Sequence, residues 1–247
     1  MKIGFLITAR MKSTRLPKKI TLKVDGKELI FLMISRLKQC KSISEIVIAT
    51  STNPQDDILC EVAEREGIKF FRGSEDDVLD RLYNAAKKYG LDYVINATAD
   101  CPLVAVDFVD EVIKKYRKTD ADLITTSDLP VGLFFYGIKI AALKKVLEIK
   151  KGTDTEVWGG YFIKTGLFNV VNLEIPKNLQ RNYRLTLDYP EDFEVLKAVY
   201  TGLGKDSFKK SAREIIEFLD KHPEIVKINA HCHELYKKRV EEQAKVE

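Results

Sequence analysis

Apolar runs of strand length alternate with longer runs at helical spacing through the first half of the chain, and that alternation limits the fold more than any other feature. Residues 3–7 read as a strand, and Leu29, Leu32, Met33 and Leu37 share one helical face within 29–39. EIVIAT at 45–50 is β-branched. Asn53-Pro54 offers an N-cap and a first-turn proline for a helix to about Glu66. A short strand at 69–72 precedes a helix that Ser74 can cap, with Asp77 three residues on, and Gly90 stops it. A strand at 92–98, a helix at 108–117 and a strand at 121–125 continue the rhythm. This order predicts an α/β fold, a mostly parallel central sheet flanked by helices on both faces.

After Thr126 the rhythm changes. Residues 133–139 and 183–187 look strand-like, 166–175 extended, and 141–149 and 190–200 helical. The segment 128–179 reads as an arm or subdomain within a domain spanning 1–225, followed by a helical C-terminal tail, 226–247. The charged end KKRVEEQAKVE reads as a solvated helix end. A chain of 247 residues can bury a substantial core. Its net charge is only +4, so no nucleic-acid partner is expected and any anion site must come from local clustering. No apolar run approaches the roughly 20 residues of a membrane span. Cys40, Cys60, Cys101 and Cys232 are scattered, which fits a reduced, cytoplasmic chain.

In open sheets of this kind, ligands bind at the carboxyl ends of the strands. After the first strand comes TARMKSTRLPKK, five basic residues without an acid. Arginine forks, lysine point charges and hydroxyl donors together suit a polyphosphate, the bland reading being a solvated loop. No GxGxxG follows that strand, which argues against a dinucleotide-binding dehydrogenase. Asp100 follows the strand ending at Thr98 and stands where a Mg²⁺ carboxylate or a turn-forming acid would. Alternation in RLTLDYPED puts Arg184, Thr186 and Asp188 on one side and Leu185 and Leu187 on the other. Glu191 and Asp192 suit the start of the next helix, leaving Asp188 freer for chemistry. Asp120-Ala121-Asp122 has the spacing of a glycosyltransferase metal motif, but it precedes a strand and reads as a cap. His231-Cys232-His233 has metal-ligand types, yet adjacent residues need distant ligands to make a site.

TARMKSTRLPKK, STNPQDD, FRGSEDDVLDR, TADCPL and LTLDYPEDFE occur in the order found in cytidylyltransferases that make CMP-KDO and CMP-sialic-acid-type sugars. The chain resembles that family over residues 2–200, and within it the spore-coat polysaccharide biosynthesis protein F group. The resemblance implies a Rossmann-like nucleotidyltransferase domain, usually dimeric, with the 128–179 region as a protruding dimerisation segment. It implies that CMP passes from CTP to a small acidic acceptor with release of pyrophosphate. Arg10, Lys19, Asp100 and Asp188 would be the catalytic set, with Asp100 and Asp188 holding Mg²⁺. Ala9, Arg10, Ser13, Arg15, Lys19, Thr50, Ser51, Asp77 and Ala97 would bind CTP. Two departures stand out: Lys18 replaces the usual glycine of RLPGK, and Ala99 replaces the glycine before the metal aspartate.

The acceptor pocket is expected between the sheet end and the arm, with Arg81, Trp158, Tyr161, Arg181 and Arg184 as contacts. Against these stand local readings: Arg81 as the i,i+4 partner of Asp77, Thr153 and Glu156 as a capping box, and Trp158 as an interface anchor. Other functional readings are a phosphate- or phosphonate-bearing acceptor, a glycosyltransferase consuming a nucleotide sugar, and a non-catalytic nucleotide-binding module.

Overall fold

The structure is a computed structural model and describes residues 1–243. Residues 244–247, the last of the charged run expected to be a solvated helix end, lie outside the described residues. β1 (Ile3–Thr8) is buried at every position, as a continuous apolar run requires of a strand covered on both faces. The basic loop follows, then a 3-10 turn (Lys19–Thr21) and a hairpin of β2 (Lys23–Val24) and β3 (Lys27–Glu28). The hairpin was not among the sequence expectations. Asp25 and Gly26 form its turn, both at positive φ, as a two-residue turn matched to strand twist requires.

The chain continues through α1 (Leu29–Leu37), β4 (Glu45–Ser51), α2 (Asp57–Arg65), β5 (Lys69–Gly73), α3 (Val78–Lys88) and β6 (Tyr93–Thr98). Then come α4 (Val109–Thr119), β7 (Leu123–Thr125), β8 (Tyr136–Lys139), α5 (Ile140–Ile149), α6 (Gly159–Ile163) and β9 (Val170–Asn172). The last elements are α7 (Pro190–Leu203), α8 (Ala212–Lys221), α9 (Pro223–Ile228) and α10 (Cys232–Gln243). Seven strands form one sheet in the order β5-β4-β1-β6-β8-β7-β9. Only β8 runs antiparallel to its neighbours, so the sheet is mostly parallel as expected.

Alternation along β1 divides the core. Phe5 and Ile7 point into the layer formed by α1, α2, α4, α7 and α8, while Leu6 points into that of α3, α5 and α6. Caps place the helices. Asn53 accepts from Gln55 N–H ahead of Pro54, as its sequence predicts. Asp77, not Ser74, caps α3, accepting from Asp80 N–H at 3.1 Å.

Residues 183–187 do not form a strand. They make only an isolated bridge, Val131 with Arg184. Their amides are taken by loops instead: Leu185 N–H donates to Val131 C=O and Leu187 N–H to Asp100 C=O. The predicted alternation survives, because Leu185 and Leu187 enter the core while Thr186 and Asp188 line a cavity. Gly132 makes the first of these contacts possible. Its φ is +96°, and a Cβ there would stand 2.2 Å from the Leu185 carbonyl carbon. Nor is the helical tail detached, since Asn229 is buried and donates to Asp192 and to Arg184 C=O.

Candidate active site

The basic loop leaves β1 and returns through the turn at Lys19. Lys18, at the position where the resemblance expects glycine, is left-handed (φ 55°) and precedes that turn. A side chain in this region costs about 1 kcal/mol, which accounts for glycine as the usual choice. Ala99 is buried and lies outside the positive-φ set, so its methyl carries no such cost. Asp56, fully buried, staples the loop by accepting from Met11 N–H at 2.7 Å and from Ser51 Oγ.

Lys19 is the centre of the site. Its Nζ donates to Asp100 Oδ2 at 2.7 Å and to Asp188 Oδ1 at 3.1 Å. The side chains are 12% exposed for Lys19, 22% for Asp100 and 4% for Asp188. Burial works against the charged ammonium, yet the two carboxylates outweigh it and hold Lys19 above the ordinary lysine value. Asp188 also accepts from Arg15 Nη2 at 3.2 Å and from Arg184 Nη2 at 3.0 Å.

Arg184, expected as an acceptor contact, is instead enclosed by carboxylates. It is buried and forks onto Asp192, with both hydrogen bonds at 2.9 Å, while also holding Asp188. Burial opposes its charge, but Asp192 and then Asp188 outweigh that and raise its pKa. Asp192 is saturated in turn, also accepting from Asp188 N–H and Tyr189 N–H at the start of α7. The helix-capping role foreseen for Asp192 therefore also fixes the loop that carries Asp188.

Two cavities flank the Lys19 centre. The smaller, about 110 Å³, is lined by Ala9, Arg10, Lys12, Lys19, Arg81 and Asp100 among others. The larger, about 420 Å³, has an aromatic wall of Phe134, Tyr136, Trp158 and Tyr236 and a polar end of Thr98, Asp100, Thr186 and Asp188. They share Thr98, Asp100, Glu156 and Trp158. At that shared wall Arg10 pairs with Glu156 at 3.1 Å while donating to Glu75 C=O at 2.7 Å. Arg81 is pushed down to about 10 by burial and then by Arg10, so it stays charged at neutral pH.

The structure brings together Ala9, Arg10, Arg15, Lys19, Arg81, Ala97, Asp100, Trp158 and Asp188, all in or against the two cavities. The remaining expected site residues are placed otherwise. Ser13 Oγ accepts from Leu16 N–H within the loop. Ser51 is spent on Asp56 and Asn53 N–H, and Thr50 is buried in β4. Asp77 is held by Lys150, Thr155 and the start of α3, so the Asp77–Arg81 pair does not form. Arg81 donates instead to Ser74 C=O and Glu75 C=O. Tyr161 is core, and Arg181 pairs with Asp220 at the surface. The Thr153–Glu156 box is absent, Glu156 being the partner of Arg10. Asp120 is left-handed and ends α4, as a cap should.

Sequence reasoning missed Asp56, Glu156, the Phe134–Tyr136 wall and Tyr236. Cys101 also lines the larger cavity, but burial and then Asp100 push its thiol up to about 12, so it stays protonated. No histidine lines either cavity among the described residues. For a divalent cation the fit is good. Asp100 and Asp188 are hard oxygen donors that already share one cationic group, the Lys19 ammonium.

A sequence model of the cytidylyltransferase family matches residues 5–219. The chain is 35% identical over 247 residues to an uncharacterized protein of Methanocaldococcus jannaschii, covering 98% of this chain and 100% of that one. It is 31% identical over 230 residues to the spore coat polysaccharide biosynthesis protein SpsF of Bacillus subtilis, covering 90% and 95%. A solved cytidylyltransferase from Leptospira borgpetersenii superposes with a TM-score of 0.83 at 30% identity, over 92% of this chain and 97% of that one. Among the described residues no helix is long and apolar enough to cross a membrane. The family model spans most of the sheet and most of the lining of both cavities, and the chain therefore belongs to the cytidylyltransferase family, nucleotidyltransferases on a Rossmann-like α/β fold.

Proposed function

We propose that the protein transfers CMP from CTP to a small acidic acceptor, an acid sugar of the KDO or nonulosonic type used in surface polysaccharide, releasing pyrophosphate. The observation that carries this reading is the pair of cavities meeting at Asp100. A donor bound on the loop side and an acceptor on the aromatic side would face one another across it. An acceptor hydroxyl oxygen attacks the α-phosphorus of CTP and gives up its proton to solvent, the bond to the bridging oxygen breaks, and pyrophosphate leaves with the bonding electron pair.

The chain's own part is positioning and charge neutralisation. Arg10 and Lys19 bind the triphosphate once it replaces Glu156 and the carboxylates as their partners. Arg15 and Arg184 keep Asp188 in place. Asp100 and Asp188 would hold Mg²⁺, which polarises phosphoryl oxygens and neutralises developing charge. The aromatic wall suits the apolar face of a sugar ring, with Thr98 and Thr186 at its polar edge. The polysaccharide role named for SpsF supports the acid-sugar reading. The 128–179 segment would make a homodimer, and its exposed Ile163 and Leu167 suit a second copy.

The test is product identification by mass spectrometry after incubation with CTP, Mg²⁺ and a panel of KDO, nonulosonic acids, sugar phosphates and phosphonates. A CMP–acid-sugar conjugate is expected. A CMP conjugate of a phosphate or phosphonate only would replace the acceptor class, and consumption of a preformed nucleotide sugar would overturn the reaction.

A further inference from the structure

The sequence His231-Cys232-His233 lacked a distant ligand, and the fold supplies one. α10 begins against the first turn of α7, which brings Glu191 to His231 and Cys232. His231 Nε2 lies 3.5 Å from Cys232 Sγ and 3.7 Å from Glu191 Oε1. The three ligand atoms all fall within 4.8 Å of one another. Metal–ligand bonds of about 2.3 Å to sulfur and about 2.1 Å to nitrogen or oxygen, at tetrahedral angles, separate ligand atoms by about 3.5 Å. The two separations from His231 Nε2, 3.5 Å and 3.7 Å, already lie close to that value.

We propose that Glu191, His231 and Cys232 form a zinc site that fastens α10 to the start of α7. A thiolate, an imidazole and a carboxylate make a borderline-soft set that favours Zn²⁺ over Mg²⁺. It is therefore chemically distinct from the all-oxygen pair Asp100 and Asp188. Binding converts the Cys232 thiol to a thiolate, and its proton passes to solvent. The Cys232 residue is 1% exposed and the His231 side chain 60%, so the ion would be anchored from within and open to water on one side. Water takes the fourth position.

The consequence reaches the acceptor cavity. Tyr236, one helical turn beyond Cys232, lines that cavity and lies over the Arg184 guanidinium, 5.1 Å from ring centroid to Cζ. Zinc would hold this wall in place. The site itself does not depend on the proposed transfer reaction.

The probe is Co²⁺, titrated into metal-stripped full-length chain, followed by competition with Zn²⁺ and a chromophoric chelator. One equivalent should give a thiolate-to-cobalt charge-transfer band in the near ultraviolet, removed by Zn²⁺. Cys232→Ser should abolish the band. His231→Ala and Glu191→Gln should each lower zinc affinity roughly tenfold or more, since even outer-sphere partners of a metal site typically contribute 10–100-fold. His231 is exposed, so its variant tests the site even if Cys232→Ser fails to fold. Zinc should also slow tryptic cleavage within α10 in the unaltered chain but not in His231→Ala. No charge-transfer band, a band that survives Cys232→Ser, or unchanged zinc affinity in His231→Ala would each overturn the proposal.

Discussion

Lys19→Ala removes an ammonium shared by Asp100 and Asp188, and its effects on metal and nucleotide should have opposite signs. Breaking a fully buried ion pair by deleting one partner costs about 3–5 kcal/mol. Here Asp188 keeps Arg15 and Arg184, and Asp100 is partly solvated, so the expected loss is smaller, about 2 kcal/mol. The two carboxylates then no longer share the Lys19 ammonium, which a divalent cation would otherwise have to displace. An ion that enters the unaltered site must displace or share space with the ammonium. Relief of even about 1.4 kcal/mol of that competition tightens metal binding about tenfold. Triphosphate loses a charge-assisted contact of about 1.5–3 kcal/mol, weakening CTP by roughly 10–100-fold.

Mn²⁺ titration by paramagnetic resonance without nucleotide, and CTP titration by calorimetry, measure the two arms separately. The pH sign is fixed by the raised pKa of Lys19. Its contribution to stability is fully present below the unfolded value, 10.5, and is lost only as pH rises through the higher folded value. Urea unfolding between pH 7 and 9 should therefore show a constant difference between the two proteins. Weaker or unchanged Mn²⁺ binding in Lys19→Ala would refute the idea that the ammonium stands in the cation's place.

Other predictions rest on separate features. Lys18→Gly should stabilise the chain by about 1 kcal/mol, because it relieves a left-handed lysine, and a higher urea midpoint at unchanged slope would show it. Gly132→Ala should destabilise by about 3 kcal/mol or more, since a Cβ at that positive φ strikes the Leu185 backbone; a thermal midpoint within a degree of the parent would contradict this. Glu214, bonded to Ser211 at the start of α8, is held down to about 2 against an ordinary 4.5. Its depressed pKa means its support is present above 4.5 and lost as pH falls toward 2, so Glu214→Gln should flatten that acid limb in a denaturation series. If the proposed homodimer forms through the 128–179 segment, the parent should show the mass of two chains in light scattering and Ile163→Asp with Leu167→Asp that of one; a parent of single-chain mass, or a double variant of unaltered mass, would contradict this.

The inner strands were legible because they are largely buried on both faces and so are written as mainly apolar runs, as in β1 and the IVIA of β4. The nearness of Lys19 to Asp100 was legible because a basic loop after β1 and an acid after β6 both fall at the carboxyl edge of the sheet, whereas Asp188 was placed by an alternation that survives although residues 183–187 form no strand. What escaped the sequence depends on contacts between distant segments. Arg184 read as an acceptor contact because the acceptor pocket was expected between the sheet end and the arm, but Asp192 and Asn229, from α7 and the tail, enclose it. Glu156 read as a capping residue because its partner, Arg10, lies 146 positions away and meets it only in the fold. Ser51 and Asp77 carry suitable donors and acceptors, yet loop stapling and helix capping use them locally. Tyr236 gave no signal, since nothing in the periodicity of the tail shows that it folds back over a cavity.

The most direct test of the central claim is pyrophosphate release from CTP in the presence of Mg²⁺ and an acid-sugar acceptor, comparing the unaltered protein with Asp100→Asn. Release should be selective for CTP over UTP, ATP and GTP, should stop on chelation of Mg²⁺, and should fall at least about 100-fold in a folded Asp100→Asn that still binds CTP. Near-normal, metal-independent release from Asp100→Asn, or a parent protein that binds no CTP, would contradict the account.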